Sequence, residues 1–206
     1  QRPMLTMAWP TIELYHPDSY ALDALSALLA RGRTSPFYQV VVEEDQLAPA
    51  VNAGHSQREL AGQFQLSARA FPGTDLDTLM ASFDRAFARF DTYGVREADL
   101  RRITAGLETN FYNGIASVLG KSFQLANYSF LTGDPGFGTE DLRRLRAVTV
   151  DDVLRVYRQY IDGRPWVGAS FVPRGDVDGA LEGSQPAEIA AEAIVADSEP
   201  ATADVE

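Results

Sequence analysis

The amino-acid sequence predicts an α+β fold in which helices pack on a mostly antiparallel or mixed sheet. Three observations support this prediction. Residues 60–71 alternate apolar and polar side chains, which is typical of a strand with one buried and one solvated face. A long block over residues 76–161 carries apolar side chains at helical spacing. Strand-like apolar runs at residues 4–9 and 165–172 enclose this block and supply the rest of the sheet.

The first predicted strand, residues 4–9, is short and bounded by prolines. In the loop that follows, His16 orders the approach to a helix, and Asp18 occupies the N-cap position. Residues 20–30 then repeat leucine at helical spacing, which predicts a helix. Gly32 is expected to adopt the left-handed conformation just beyond the end of that helix.

A second, short helix is predicted from Ser35 and Pro36. Serine is a favoured N-cap residue, and proline has no N–H to lose in a first helical turn. We expect this helix to end near Glu44. Residues 48–57 then extend into a strand that forms a hairpin with the alternating strand described above, and the turn lies at residues 58–59.

Five helices are predicted after the hairpin, each from apolar residues that recur at helical spacing. They cover residues 76–93, 96–112, 115–131, 139–146 and 153–161. Gly94 is expected to stop the first of them. Before the last, Thr149 and Asp152 predict a capping box, with aspartate in place of the usual glutamate or glutamine.

The net charge of −11 is concentrated towards the C-terminus. Residues 174–206 hold nine acidic side chains against one arginine, a net charge of −8 that leaves −3 for the rest of the chain. This segment also has too little large apolar surface to offset the entropy lost on ordering. We therefore predict a folded domain over residues 1–174 and an acidic disordered tail or linker over residues 175–206.

Composition excludes several classes of function. The 206 residues, 45% of them apolar, are enough for one good core or two small ones. No run of about 18 apolar residues is present, so no membrane span is expected. The charge distribution offers no basic surface for nucleic acid. Without cysteine there is no disulfide, thiol nucleophile or thiolate metal site. The sequence opens in the middle of a pattern at Gln1, as expected of a segment of a longer protein.

Residues that could carry catalysis are few. The two histidines, His16 and His55, form no H-x-x-E-H or H-E-x-x-H pair, whereas a catalytic zinc needs three protein ligands and an open position. We therefore predict no metal site and no catalytic residue in this chain. His55 is expected to face solvent from its strand. Neither a G-x-S-x-G serine nor a phosphate-binding loop occurs.

Two further clusters have structural interpretations. The acidic run Glu43, Glu44 and Asp45 is expected to be a solvated helix end. An aromatic group is expected to lie in the core rather than to line a ligand site, and it consists of Tyr112, Phe123, Tyr128 and Phe130.

An ordered series of short motifs resembles the non-catalytic half-domain of the M16 zinc metallopeptidases, the family of pitrilysin, insulinase and the processing peptidases. The motifs begin with His-Pro-Asp at residues 16–18 and the Leu-Leu-Ala-Arg-Gly run at residues 28–32. They continue through residues 34–38, 43–51, 64–73, 94–100, 125–135 and 148–153. The order of these motifs carries the resemblance, which covers about residues 3–173.

The resemblance implies a LuxS/MPP-like half-domain that forms one shell half of a peptide-sized chamber. It would help to enclose and bind extended peptides. Zinc, the water-activating glutamate and peptide-bond cleavage would come from a catalytic half-domain in the same parent chain or in another subunit. This chain alone is predicted to be inactive and to hold no cofactor, while the parent protein would be a zinc metalloendopeptidase.

The chain departs from the family pattern at the positions implied to assist substrate binding. The opposite half of such enzymes commonly lends an arginine and a tyrosine, and alignment through Glu43, Glu44 and Leu47 places these on Val42 and Pro49. Neither side chain can donate a hydrogen bond, so the substrate-binding residues stay unidentified. The departure keeps open a non-enzymatic assembly subunit, similar to the core-type subunits of respiratory complexes, or an inactive partner in a heterodimer. The compartment also stays open, as bacterial periplasm or cytoplasm.

Overall fold

A computed structural model of the chain describes residues 2–186. Its strands are β1 (Met4–Thr11), β2 (Val51–Gln57), β3 (Gly62–Arg69) and β4 (Val167–Phe171). Its α-helices are α1 (Ser19–Ala30), α2 (Leu76–Tyr93), α3 (Glu97–Gly114), α4 (Val118–Thr132), α5 (Gly138–Arg146) and α6 (Val150–Tyr160). A short π-helix spans Tyr38–Glu44, and a 3₁₀ turn spans Val177–Gly179. Across the described range, no helix combines the length and the apolar character needed to cross a membrane.

The four strands form one antiparallel sheet in the order β2-β3-β1-β4. The chain enters at the central strand β1, adds the hairpin β2–β3 on one side, and returns through β4 on the other. Trp9 on β1 lies opposite Phe64 on β3, and Met7 lies between Leu66 and Gly168. The predicted α+β class is confirmed, as is the hairpin turn, where the N–H of Arg58 donates to the carbonyl of Ala61.

The core lies between one face of the sheet and the helices. Leu5, Met7 and Trp9 of β1 are buried together with Phe64 and Leu66 of β3, which confirms the predicted alternation. Each large apolar side chain buried in this way stabilises the fold by about 1.5–3 kcal/mol.

The helix ends match the predictions at several places. Gly32 and Gly94 both have positive φ, +88° and +62°, beyond the ends of α1 and α2. A non-glycine side chain would be strained there. Thr149 and Asp152 form the predicted capping box at the start of α6.

Two predicted caps differ from the structure. Asp18 stands at the N-cap of α1, but its carboxylate accepts from Arg155 and Tyr160 instead of from the helix. The Ser35 hydroxyl donates backwards to the carbonyl of Gly32, and the following segment is a π-helix. In both places the helix-start residue is used by a contact that sequence spacing does not show.

Part of the segment assigned to the acidic tail contacts the folded domain. The N–H groups of Leu181 and Glu182 donate to the side chains of Ser170 on β4 and Asp77 on α2, at 3.3 and 2.8 Å. Residues 187–206 of the predicted tail lie outside the described residues, and the boundary after residue 174 stays a prediction.

Candidate functional site

The two positions that the family resemblance assigns to substrate contacts lie in the segment between the π-helix and β2. Val42 sits in the π-helix, half-buried against the core beside the fully buried Val41. Pro49 is exposed and follows the buried Ala48, just before β2 begins. Val42 therefore contributes to packing, and of the two positions Pro49 is the one on the surface.

The acidic run that ends the π-helix is not simply solvated. Each of its carboxylates pairs with an arginine, in the pairs Glu43–Arg33, Glu44–Arg89 and Asp45–Arg85. The Glu44 pair is bidentate, with distances of 2.7 and 3.0 Å. Because Arg85 and Arg89 belong to α2, the run ties the π-helix to that helix.

The two histidines have structural roles and lie apart. His16 accepts a hydrogen bond from the N–H of Asp18 at 3.1 Å, which orders the helix-entry loop as predicted. The prediction that His55 faces solvent is wrong, because its side chain is fully buried. Within residues 2–186, no three His, Asp or Glu side chains come together in a way that could hold a metal ion.

His55 belongs to a polar cluster between β1, β2 and α1. Its Nε2 lies 3.1 Å from the Thr11 hydroxyl, and its Nδ1 lies 3.0 Å from the Asp23 carboxylate. The Gln57 amide donates to the same carboxylate at 3.2 Å. Burial raises the pKa of Asp23, and the hydrogen bonds from His55 and Gln57 offset part of that rise.

The cluster has the hydroxyl, imidazole and carboxylate order of a nucleophilic triad. However, none of its residues lines a described cavity. We therefore interpret it as structural. Sequence reasoning missed it because Thr11, Asp23 and His55 are distant in the chain and become neighbours only through the sheet register and the packing of α1 on β2.

The face of the sheet away from the core is open and lined by small and polar side chains. On β2 and β3 these side chains are exposed or half-buried, and they are Asn52, Gly54, Ser56, Gln63, Gln65 and Ser67. Val167 and Phe171 on β4 are 72% and 58% exposed. Within the described residues β2 pairs with β3 alone, so its outer edge is a free sheet edge. It has no proline or lysine, which often protect such edges.

Helix α4 presents apolar side chains that the rest of the described chain leaves uncovered. Phe123 and Phe130 are 62% and 75% exposed, and Val118 and Leu119 are exposed as well. The prediction that the aromatic group lies in the core is therefore wrong for Phe123, Phe130 and Tyr112, and correct for Tyr128. Helical spacing shows that an apolar face exists, but not which element covers it. Exposed apolar faces of this kind are typical of interaction surfaces.

Tyr128 is the residue that fixes α4 to the domain. Its hydroxyl donates to one oxygen of Asp141 on α5 at 2.5 Å, while Tyr20 of α1 donates to the other oxygen at 2.6 Å. The rings of Tyr15 and Tyr128 lie 5.3 Å apart. Burial, reinforced by the Asp141 carboxylate, raises the pKa of both Tyr20 and Tyr128, so both stay protonated as donors.

The fold is that of a metallopeptidase-like half-domain. Residues 1–107 match the family described as the peptidase M16 inactive domain. That match covers more than half of the 206 residues. The chain belongs to this family, as the motif series predicts.

The relatives are consistent with that assignment. The zinc protease PqqE of Helicobacter pylori is 23% identical over 145 residues, which are 70% of this chain and 32% of that protein. One solved structure is described as the inactive peptidase domain of a protein assigned as a zinc protease from Bordetella parapertussis. It superposes on this chain with a TM-score of 0.74 at 20% identity, and the superposition covers 84% of this chain and 93% of that one. A protease from H. pylori superposes with a TM-score of 0.72 at 20% identity, covering 84% of this chain and 41% of that one. The chain thus spans about a third of the curated relative's length.

Proposed function

We propose that this domain is the non-catalytic shell half of an M16 zinc metallopeptidase. It helps to enclose and bind extended peptides, while a catalytic half-domain supplies zinc and cleaves the peptide bond. That half lies in the same parent chain or in another subunit. The observation that carries the proposal is membership of the inactive-domain family over residues 1–107.

The free edge of β2 supports the peptide-binding part of the proposal. An extended peptide can add to such an edge through main-chain hydrogen bonds, which are independent of peptide sequence. The exposed residues of β2 are Asn52, Gly54 and Ser56, whose small side chains let another backbone approach closely. The added peptide then borders β2 directly, with β3 on the other side of that strand.

The apolar face of α4 supports the partner part of the proposal, and we assign the catalytic half as its occupant. Within α4, Lys121 is the one charged side chain, so burying this helix requires little desolvation of charge. The protease from H. pylori shows that the fold occurs as part of a chain more than twice as long, because the superposed region is 41% of that chain. A second half of similar size is thus the natural cover for α4.

Reconstitution tests the proposal. The 206-residue chain and the catalytic half, encoded by the parent gene or by the gene of the partner subunit, are produced separately, mixed, and assayed with a quenched fluorescent peptide. We expect that the chain alone does not cleave the peptide and that its chelator-washed form retains no zinc. We expect the mixture to cleave the peptide faster than the catalytic half alone. A stable complex without any effect on cleavage would favour a non-enzymatic assembly subunit. Cleavage and stoichiometric zinc in the isolated chain would contradict the proposal outright.

A further inference from the structure

A cavity of about 510 Å³ lies where the end of α1, the end of α2 and the start of α3 meet. Its floor is apolar and consists of the buried side chains of Leu28, Phe90 and Ile103. The ring of Tyr93, which is 78% exposed, lies among the lining residues. A concave site with an apolar floor and a few polar groups is the usual form of a ligand pocket.

Four arginines also line this cavity: Arg31, Arg89, Arg96 and Arg102. Two carboxylates pair with them. Glu44 binds Arg89, and Asp99 accepts from both Arg96 at 2.6 Å and Arg102 at 3.3 Å. Within residues 2–186 the Arg31 guanidinium has no ion-pair or hydrogen-bond partner. The cavity is therefore electropositive in a chain whose net charge is −11.

The sharing of Asp99 leaves guanidinium N–H groups available at the cavity. Burial alone would raise the pKa of Asp99, but the hydrogen bonds from Arg96 and Arg102 hold it below its usual value, so the carboxylate stays ionised. One carboxylate cannot satisfy the five donors of each guanidinium. The remaining donors of Arg102, together with those of Arg31, can bind a carboxylate through paired, charge-assisted hydrogen bonds.

We propose that this cavity binds the C-terminal residue of a peptide. The α-carboxylate lies against Arg31 and Arg102, and the apolar side chain of the same residue lies on the floor formed by Leu28, Phe90 and Ile103. A C-terminal apolar residue places a carboxylate and an apolar group on one carbon atom, which matches a basic rim next to an apolar floor. The inference rests on the proposed function, since it takes the ligand to be a peptide.

Direct binding to the 206-residue chain tests this inference. A fluorescent peptide that ends in leucine is measured by anisotropy as the free acid and as the C-terminal amide. We expect the free acid to bind at least about tenfold more tightly than the amide, because the amide lacks one charge-assisted interaction. Arg102→Ala and Arg31→Ala should each lower the affinity for the free acid by a similar factor. The affinity for the amide should not change.

Arg101→Ala is the matched control. Arg101 is the neighbour of Arg102 on α3, carries the same charge, pairs with Glu97 at 3.0 Å and does not line the cavity. The Arg101→Ala variant should bind both peptides with the affinities of the wild type. Because Arg31 has no side-chain partner among residues 2–186, Arg31→Ala keeps the test valid if Arg102→Ala unfolds, which a thermal melt will show.

The outcomes separate this inference from the proposed function. Equal binding of acid and amide, or equal losses in Arg102→Ala and Arg101→Ala, would overturn the C-terminal site. An amide with an internal glutamate that binds as tightly as the free acid would overturn it too, in favour of a side-chain carboxylate. If the reconstituted pair cleaves peptides and the isolated chain binds none, the cavity assignment fails alone. If acid-selective binding occurs but reconstitution gives no cleavage, the proposed function fails and the carboxylate site stands.

Discussion

Asp18 accepts a hydrogen bond of 2.7 Å from Arg155, which joins the start of α1 to α6 across 137 residues of sequence. Tyr160 donates to the other carboxylate oxygen at 2.8 Å. Burial alone would raise the pKa of Asp18, but these donors outweigh it and hold the pKa below its usual value. The pair holds the first and last α-helices of the domain together.

Replacing Asp18 by asparagine should lower the free energy of unfolding by about 1–2 kcal/mol at neutral pH, because the charge-assisted bonds become weaker ones. A carboxyl whose pKa is lowered by folding stabilises above its unfolded value of about 3.9 and loses that contribution as the pH falls through the folded value. The difference between wild type and Asp18→Asn should therefore shrink in acid. Urea unfolding at pH values from neutral to below about 3.9 measures this difference in the free energy of unfolding. Glu59→Gln at the exposed hairpin turn is the control. A difference that does not change with pH would contradict the assignment.

Asp23 should show the opposite sign. Its pKa is raised by burial, so ionisation destabilises the folded state. That penalty is absent below the unfolded value of about 3.9 and grows as the pH rises through the folded value. Asp23→Asn should therefore gain stability relative to wild type as the pH rises from about 4 to 7. Urea unfolding at several pH values tests this, and a parallel pH profile for the two proteins would show that Asp23 does not titrate abnormally.

Gly62 should be irreplaceable by alanine. A Cβ at this position would collide with the carbonyl oxygen of Ile12 and lie 2.9 Å from that of Ser56, both of which are backbone atoms. We expect Gly62→Ala to lower the free energy of unfolding by about 1–3 kcal/mol. Gly54→Ala is the matched control on β2, where an added Cβ meets nothing within 4 Å. Equal melting temperatures for the two variants would mean that the β2–β3 turn can relax.

Sequence periodicity predicts most of this fold because the local signals and the tertiary structure agree. The limits of α2 are predicted to the residue, since an apolar stripe and the Gly94 that follows it both act locally. The capping box of Thr149 and Asp152 is predictable for the same reason. At Asp18 and His55, where the structure departs from prediction, the missing information is the identity of a distant partner.

His55 and the face of α4 illustrate that limit. A histidine that alternates with polar residues on a strand is expected in solvent, yet Asp23 and Thr11 satisfy both its ring nitrogens and allow burial. Phe123 and Phe130 have the spacing of core residues, yet they remain exposed in the described chain. A spacing pattern reports that a face is apolar, whereas the element that covers it belongs to the tertiary or quaternary structure.

The positions aligned with the family's arginine and tyrosine should respond differently to restoration. Val42→Arg places a cation where a half-buried side chain packs on the core, and we expect it to lower the free energy of unfolding by about 1–3 kcal/mol. Pro49 is exposed, so Pro49→Tyr should stay within about 0.5 kcal/mol of wild type. If residue 49 faces the peptide, the new phenol adds a donor and raises kcat/KM of the reconstituted pair. Thermal melts and peptide kinetics together check this, and a cooperative, wild-type-like melt for Val42→Arg would show that residue 42 reaches solvent.

The exposed face of α4 gives the sharpest test of a partner. Phe123→Ser and Phe130→Ser remove side chains that are 62% and 75% exposed. The free energy of unfolding of the isolated double variant should therefore stay within about 0.5 kcal/mol of the wild-type value. If the catalytic half covers α4, the double variant should lose affinity for that half by at least about tenfold, because two buried aromatic contacts are lost. Leu60→Ser is the control, since Leu60 is 89% exposed and belongs to the hairpin turn and not to α4. Calorimetric titration of the catalytic half into each variant measures the affinity. Unchanged affinity in the α4 double variant, with intact cleavage by the pair, would mean that the two halves meet through another surface and that α4 has a different occupant.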